Sequence, residues 1–314
     1  MSLKDERKII KNIMKNGKVS EYPDDCSWTV VNEKYIFTTT DSITPETHIP
    51  DGVKPYDAGR FFASVNLSDI AAMGAKPLSF MAAFVLGPEL DDDYVDDFSK
   101  GIGDVLKKYE TEYIGGDTKP GKSTSFSGFC LGTGMEERTM FRRRIGEGQI
   151  VCVTNEIGRV GASYLDYVNG VNMDESGFNI INIEPRIREA MSIGENGGMF
   201  MMDMSDGLFG CLSQMKNDYG LGFRIVESEL PFDASVKNVS ERYGISQTEV
   251  GCNIGGDYEL LFTIENENFS SFSQKMRELG ISVSYIGDVW KGDNMIFNGE
   301  NWLKIEGKGW EHFK

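Results

Sequence analysis

Short apolar runs and helical repeats of apolar residues follow each other along the first part of this chain. Runs rich in β-branched and aromatic residues predict strands, and apolar residues spaced three or four apart predict helices. The predicted strands occupy 34–40, 80–86, 112–114 and 124–133. The predicted helices occupy 56–74 and 93–109. Because strands and helices do not alternate strictly, the order is typical of an α+β fold.

A charged segment at 136–148 (EERTMFRRRIGEG) lacks apolar periodicity and contains two glycines, as is typical of a boundary between domains. We therefore expect an N-terminal domain at 1–140 and a C-terminal domain at 141–314. The pattern after the boundary predicts a second set of mixed strands and helices, with one helix after Asp206 and strands at 149–154, 198–202, 221–226, 259–264 and 282–287.

Composition and charge narrow the class of protein. The 314 residues are 40% hydrophobic and carry a formal net charge of −17, which disfavours nucleic acid and anionic membranes as partners. The five cysteines form no CxxC pair, so neither a structural zinc site nor a redox motif is indicated. The first residues are too highly charged for a secretory signal. We therefore expect a cytoplasmic protein.

Aspartates recur where apolar strands end or where glycines make turns: Asp24, Asp25, Asp41, Asp117, Asp203, Asp206 and Asp257. A further one, Asp69, shares a helix face with Asn66, three residues earlier. Converging carboxylates repel each other, and Mg²⁺ is the natural cation to lie between them because it shares oxygen ligands with substrate phosphates. Each aspartate alone is typical of a helix cap or turn, but the set favours a metal site for nucleotide chemistry.

Phosphate binding has weaker signals. The glycines at 115–118 (GGDT) would place backbone N–H groups and a carboxylate in one turn. The run Arg142, Arg143 and Arg144 is as consistent with a solvated linker as with phosphate contact. No P-loop or protein-kinase motif is present, and two histidines with no GxSxG give little support to a Ser-His-Asp hydrolase. Transfer of a phosphoryl group to another phosphate needs no strong base, since a phosphate monoester is largely ionised near neutral pH.

Seven segments, spread over essentially the whole chain, carry a family resemblance. They are DDC at 24–26, TTTDSITPETH at 38–48, VNLSDIAAMGAKP at 65–77, YIGGDT at 113–118, DMSDGL at 203–208, GGDYELLF at 255–262 and GWEHF at 309–313. In these segments the chain resembles the ATP-binding superfamily of aminoimidazole ribonucleotide synthetase, and within it the thiamine-monophosphate kinases.

The resemblance implies in-line transfer of a phosphoryl group from ATP to thiamine monophosphate, with several Mg²⁺ ions. It also implies a homodimer joined through the N-terminal sheets, with the C-terminal α/β domain closing the cleft. The implied metal ligands are Asp25, Thr39, Thr40, Asp41, Asp69, Asp117, Asp203 and Asp206, of which Asp41, Asp69 and Asp203 are the catalytic candidates. The implied ATP contacts are Gly116, Asp117, Arg142 and Ser205, and the implied substrate contacts are His48 and Trp310.

One departure concerns the substrate end of the site. Gly256 stands where the family usually has an acidic residue, so a substrate contact is either lost or taken over by Asp257. Two alternatives stay open. One is a purine-pathway synthetase of the same superfamily, and the other is a noncatalytic protein that binds Mg-nucleotide or thiamine phosphate.

Overall fold

A computed structural model describes residues 13, 15, 24–307 and 309. Its first part contains five strands: β1 (Ser27–Val31), β2 (Lys34–Ile43), β3 (Lys76–Leu86), β4 (Glu112–Pro120) and β5 (Ser125–Gly134). Three helices accompany them: α1 (Pro45–His48), α2 (Pro55–Ala72) and α3 (Asp92–Lys108). The strands form one sheet in the order β1-β2-β5-β3-β4, in which only the β3–β4 pair is parallel.

The helices α2 and α3 pack closely together and α2 covers one face of this sheet. A Cβ atom on Gly59 would lie 2.0 Å from the carbonyl oxygen of Phe98, and one on Gly101 would lie 2.0 Å from that of Tyr56. Only glycine permits this approach. Phe62 and Phe126 are fully buried beneath the helices, with ring centroids 6.1 Å apart. The buried face therefore fixes α2, which carries part of the candidate site.

The second part is built on a seven-stranded sheet. Its strands are β6 (Ile150–Thr154), β7 (Gly198–Asp203), β8 (Gly222–Val226), β9 (Leu260–Ile264), β10 (Val283–Trp290), β11 (Met295–Phe297) and β12 (Trp302–Lys304). The order is β12-β11-β8-β10-β6-β9-β7. The helices are α4 (Arg159–Val168), α5 (Met173–Ile181), α6 (Ile187–Glu195), α7 (Leu208–Tyr219), α8 (Ala234–Tyr243), α9 (Gln247–Asn253) and α10 (Phe269–Glu278).

The two parts share one hydrophobic core. Buried residues of the first sheet, such as Phe37, belong to the same cluster as Cys152, Met201 and Phe262 of the second. At the junction, the Glu184 carboxylate accepts hydrogen bonds from Arg60 of α2 at 3.1 Å and from Tyr109 at 2.8 Å. Polar contacts therefore reinforce the apolar packing that fixes the two sheets relative to each other.

The α+β prediction is confirmed, and most predicted elements lie within a few residues of the observed ones. The predicted turn at 115–118 is wrong, because these residues continue β4 and pair with β3 as far as Pro120. Pairing with a neighbouring strand outweighs the turn preference of two glycines. Among the described residues, no helix combines the length and apolarity that crossing a membrane requires.

Candidate phosphoryl-transfer site

A cleft of roughly 710 Å³ lies at the junction of the two sheets. One wall comes from the end of β2, from α1 and from α2, and it includes Asp41, His48 and Asp69. The opposite wall comes from α4, from α5 and from two loops that follow β7 and α9. Ligand sites commonly lie in such clefts between structural units.

Three carboxylates from separate segments of the chain meet at the acidic end of this cleft. Asp25 lies two residues before β1, Asp69 lies in α2, and Asp203 ends β7. One oxygen atom from each carboxylate lies within 4.8 Å of the others. Carboxylate oxygens at this separation, one buried and two half-buried, match the ligand preference of Mg²⁺. The chemistry of the donor set therefore fits the cation that the sequence indicates.

Hydroxyl groups hold two of these carboxylates in place. The Ser68 hydroxyl donates to an oxygen of Asp203 at 2.5 Å, and the Thr39 hydroxyl donates to an oxygen of Asp69. Each hydrogen bond satisfies one oxygen and leaves lone pairs for a cation. The arrangement thus orients the carboxylates as ligands without neutralising them.

Asn66 links α2 to the strand that carries Asp41. Its Oδ1 atom accepts a hydrogen bond from the Asp41 N–H at 3.1 Å, and its Nδ2 atom donates to the Phe62 carbonyl at 3.0 Å. Because Asn66 is fully buried, these bonds fix the backbone of β2 at Asp41. Asn66 and Asp69, which were predicted to share a face of α2, therefore both serve the acidic end. Asn66 positions Asp41, and Asp69 is itself one of the carboxylates.

Arg142 lies beneath the cluster and is 5% exposed. Its Nε and Nη2 atoms donate to the two Asp25 oxygens at 3.1 and 2.5 Å, a bidentate pair. The Arg142 N–H also approaches the Asp24 carboxylate at 3.3 Å. The structure thus engages Arg142 with protein carboxylates, whereas the sequence predicts that it contacts ATP.

Burial and mutual repulsion raise the pKa values of Asp24, Asp69 and Asp203. Burial, followed by the charge of Asp25, raises the pKa of Asp203 to about 8 and that of Asp24 to about 7. Burial and then Asp41 raise the pKa of Asp69 well above its usual value. Without a cation, these groups favour the protonated form. The carboxylates at the acidic end are therefore expected to become fully ionised only when a cation binds.

These shifts predict an unusual pH dependence for the ligand-free protein. Between about pH 4 and about pH 8 the folded chain binds more protons at Asp24 and Asp203 than the unfolded chain does. The free energy of unfolding should therefore fall as pH rises through this window, lowering the melting temperature by several degrees. Saturating Mg²⁺ should reduce that slope, because the cation replaces the protons.

Thermal unfolding in chelator and in Mg²⁺, at several pH values, measures both effects. The Asp203→Asn variant is the matched control, because it removes one raised pKa and should flatten the slope in chelator. A wild-type slope in chelator that is the same in the Asp203→Asn variant and in Mg²⁺ would contradict this account.

The loop after β7 carries two more predicted residues, Ser205 and Asp206, and both line the cleft. It packs against the loop before β9 so closely that a Cβ atom on Gly255 would lie 2.0 Å from the Ser205 carbonyl oxygen. The Asp257 carboxylate accepts hydrogen bonds from the N–H groups of Gly158 and Val160 at 2.6 and 3.0 Å. Each oxygen of Asp257 therefore accepts one of the N–H groups at the start of α4, which caps that helix.

The predicted substrate residues have different outcomes. His48 ends α1 and lines the cleft, and its Nδ1 atom lies 2.6 Å from the Thr47 hydroxyl. Trp310 lies outside the described residues. The nearby Gly309 packs against the loop after β7, since a Cβ atom there would lie 2.4 Å from the Asp206 carbonyl oxygen.

Three predicted residues of the first sheet lie away from the carboxylate trio. Asp117 and Gly116 are on β4, three strand positions from β2, a separation of about 14 Å. Asp117 forms an exposed ion pair with Lys119 at 2.8 Å. Thr40 is exposed, and strand alternation directs its side chain to the sheet face opposite that of Asp41.

Ser68 and Tyr258 are two residues of the site that the sequence patterns did not predict. Ser68 is buried and adjoins Asp69 on α2, and a single serine in a helix gives no signal of its contact with Asp203. Tyr258 lines the cleft from the loop before β9. Its position inside the resembling segment GGDYELLF was the available signal.

Comparison with known proteins first defines the class. Residues 23–134 match the family model described as "AIR synthase related protein, N-terminal domain". This range begins just before Asp25 and ends with β5, so it contains the whole first sheet.

Full-length relatives define the family. The chain is 30% identical over 309 residues to a thiamine-monophosphate kinase of Pyrococcus abyssi, covering 98% of this chain and 95% of that protein. A solved structure described as "AaThiL complexed with AMPPCP and TMP" matches with a TM-score of 0.87 at 26% identity, over 100% and 99% of the two chains. A crystal structure of the Aquifex aeolicus enzyme matches with a TM-score of 0.82 at 25% identity, over 97% and 99%. The chain belongs to the thiamine-monophosphate kinase family.

Proposed function

We propose that this chain transfers the γ-phosphoryl group of ATP to the phosphate of thiamine monophosphate, which yields thiamine diphosphate and ADP. The observation that carries the proposal is the trio Asp25, Asp69 and Asp203, of which Asp203 is buried and the other two are half-buried, at the end of a cleft large enough for small-molecule substrates. The relative whose structure holds AMPPCP, an analogue of ATP, together with TMP matches this chain over its whole length.

The proposed metal ligands are Asp25, Asp69 and Asp203, with Thr39, Asp41 and Asp206 beside them. When bound, Mg²⁺ supplies positive charge that neutralises phosphate oxygens. Asp117 lies too far from the trio to share its ion, so any ion that it binds is a separate one. The side chain of Thr40 is on the sheet face opposite Asp41, so its proposed contact is likewise with a separate ion. The proposal thus includes more than one Mg²⁺.

The chain's own residues orient the reactants. The acceptor phosphate is largely ionised near neutral pH, because its second pKa is about 6, so no side chain has to remove a proton from it. Ser68 and Thr39 fix the carboxylates, and Asn66 fixes the strand at Asp41. Positioning and charge neutralisation then provide the catalysis.

The apolar lining of the cleft suits the thiamine rings. Phe61 and Val65 form the apolar wall on α2, and Val160 and Ile180 line the opposite wall. Apolar pockets with a few polar groups are typical of small-molecule sites. His48 lies on the same wall as Phe61, and Trp310 is proposed to stack on the cationic thiazolium ring. Both stay as proposed substrate contacts.

The nucleotide is proposed to contact Gly116, Asp117, Arg142 and Ser205. Ser205 lines the cleft beside the trio, which supports a place near the phosphates. Because Arg142 is engaged by Asp25, its contribution to ATP binding would act through that carboxylate or require an exchange of partners.

A homodimer through the first sheet is proposed on the basis of the sheet face that no described helix covers. Val85 and Phe129 project from this face and are each 39% exposed, and Met81 lies opposite Phe129 in the register. Apolar side chains on a sheet face that helices leave open are typical of an interface. The proposed division into 1–140 and 141–314 assigns this face to the N-terminal domain.

The test is an assay of the purified chain with ATP, Mg²⁺ and thiamine monophosphate. Mass spectrometry should detect thiamine diphosphate and ADP in equal amounts, and chelation of the metal should abolish both. Folded protein that binds ATP but forms no thiamine diphosphate would contradict the proposal. Turnover of formylglycinamidine ribonucleotide would then identify a purine-pathway synthetase, and binding without any turnover would identify a binding protein.

A further inference from the structure

Tyr258 has a backbone conformation that residues other than glycine seldom adopt. Its φ angle is 52°, in the left-handed region. Such conformations persist where the surrounding structure fixes them, and they concentrate at functional sites. Contacts on both sides of Tyr258 must therefore hold its backbone in place.

Hydrogen-bonded carboxylates anchor both neighbours of Tyr258. Asp257 caps α4 through two backbone N–H groups. Glu259 accepts hydrogen bonds from Thr154 at 2.6 Å, Asn155 at 3.0 Å and Arg186 at 3.0 Å. With the residues on either side held in this way, Tyr258 has little freedom to leave its strained conformation.

Backbone contacts connect this segment to the loop that carries the acidic residues. The Tyr258 N–H donates to the Met204 carbonyl at 3.3 Å, and the Met204 N–H donates to the Glu259 carbonyl at 2.8 Å. Met204 directly follows Asp203. The position of Tyr258 is therefore coupled to that of a predicted metal ligand.

The side chain of Tyr258 lies where the apolar wall of the cleft approaches its acidic end. Its ring contacts the Phe61 ring edge to face, with centroids 6.4 Å apart, on the apolar wall. It lines the same cleft as Asp41 and Asp203. Burial, followed by the charge of Asp41, raises the pKa of the phenol well above its usual value, so the hydroxyl stays neutral. The Tyr258 hydroxyl is thus a neutral hydrogen-bond donor beside the carboxylates of the acidic end.

We propose that the Tyr258 hydroxyl donates a hydrogen bond to a phosphate oxygen of the acceptor substrate, at the point where the apolar wall meets the carboxylates. This inference rests on the proposed function. Carboxylates cannot donate to phosphate oxygens when ionised, so a neutral O–H group supplies a contact that the acidic residues cannot. In this role Tyr258 is a catalytic residue that touches the substrate.

The test compares ligands with and without a phosphate in the wild type and in Tyr258→Phe, which keeps the ring. Calorimetry in Mg²⁺ should show thiamine monophosphate binding about tenfold more weakly to the variant, as expected for loss of a hydrogen bond to a charged group. Binding of thiamine and of Mg-ATP should be unchanged. The matched control is Tyr243→Phe, which removes a hydroxyl that donates to Asp166 at 2.9 Å outside the cleft.

The outcomes separate this inference from the proposed function. Unchanged binding of thiamine monophosphate, or equal weakening for thiamine, would overturn the role of Tyr258. Weakening of Mg-ATP binding alone would assign the hydroxyl to the nucleotide and overturn the acceptor contact. Wild-type protein that binds thiamine monophosphate without forming product would overturn the proposed function, while the binding comparison would still decide the role of Tyr258. An unchanged melting temperature verifies that the variant is folded.

Discussion

Replacement of Asp69 by Asn is expected to lower the rate of thiamine diphosphate formation by more than about 100-fold, because a first ligand of the metal matters more than the groups that orient such ligands. The stability of the folded protein should not decrease. Asp69 is repelled by Asp41 and Asp203, and its pKa is raised, so a neutral amide is at least as stable there. The ligand-free variant should therefore melt at the wild-type temperature or above it.

Mass spectrometry of the products and thermal unfolding in chelator measure the two effects. The control is Asp97→Asn, the same chemical change on α3, where Asp97 forms an exposed ion pair with Lys100 at 3.0 Å. That variant should retain wild-type activity. Activity of Asp69→Asn near the wild-type level would remove Asp69 from the metal site, and a lower melting temperature would mean that loss of folding explains the lost activity.

Replacement of Arg142 by Met is expected to lower the free energy of unfolding by about 3–5 kcal/mol, since removing one partner of a buried ion pair leaves the other charge uncompensated. Asp25 loses its bidentate partner, and Asp24 loses the nearest positive charge. Denaturant unfolding gives the value. Arg138→Met is the control, because its ion pair with Glu195 is exposed and such pairs contribute at most about 1 kcal/mol.

A second variant links the loss to Asp25. Asp25→Asn combined with Arg142→Met should recover part of the lost stability, because the stranded carboxylate is gone, and the double-mutant cycle gives the coupling energy. If Arg142→Met instead left the unfolding curve unchanged and raised the KM for ATP, the arginine would serve the nucleotide, as the sequence predicts.

The run of three arginines illustrates what sequence patterns leave open. Arg142 is buried against Asp25, Arg143 lies over the Phe141 ring with its guanidinium carbon 4.0 Å from the centroid, and Arg144 donates to the Glu136 carbonyl. The three have the same chemistry and adjacent positions. Only the packing of the short helical turn at 142–144 separates them, and that packing depends on residues far away in the chain.

The helix that carries Asp69 could be predicted closely, because its apolar spacing is local information. The predicted range 56–74 compares with an observed range of Pro55–Ala72. Convergence of Asp25 and Asp203 on that helix depends on contacts between residues far apart in the chain, and strand-end positions suggested it only in outline. The conformation of Tyr258 had no pattern at all, since its left-handed backbone is imposed by the anchored acidic residues beside it.

The hydrophobic core shared by the two sheets has a consequence for how substrates reach the site. Phe37, Cys152 and Phe262 lie in one continuous cluster. A rotation that moved the two sheets apart would therefore expose apolar surface that is buried in the folded chain. A wide opening of the cleft is therefore expected to be unfavourable. Substrates are expected to enter and leave through small movements at its rim, where α1 ends at His48 and α5 contributes Ile180.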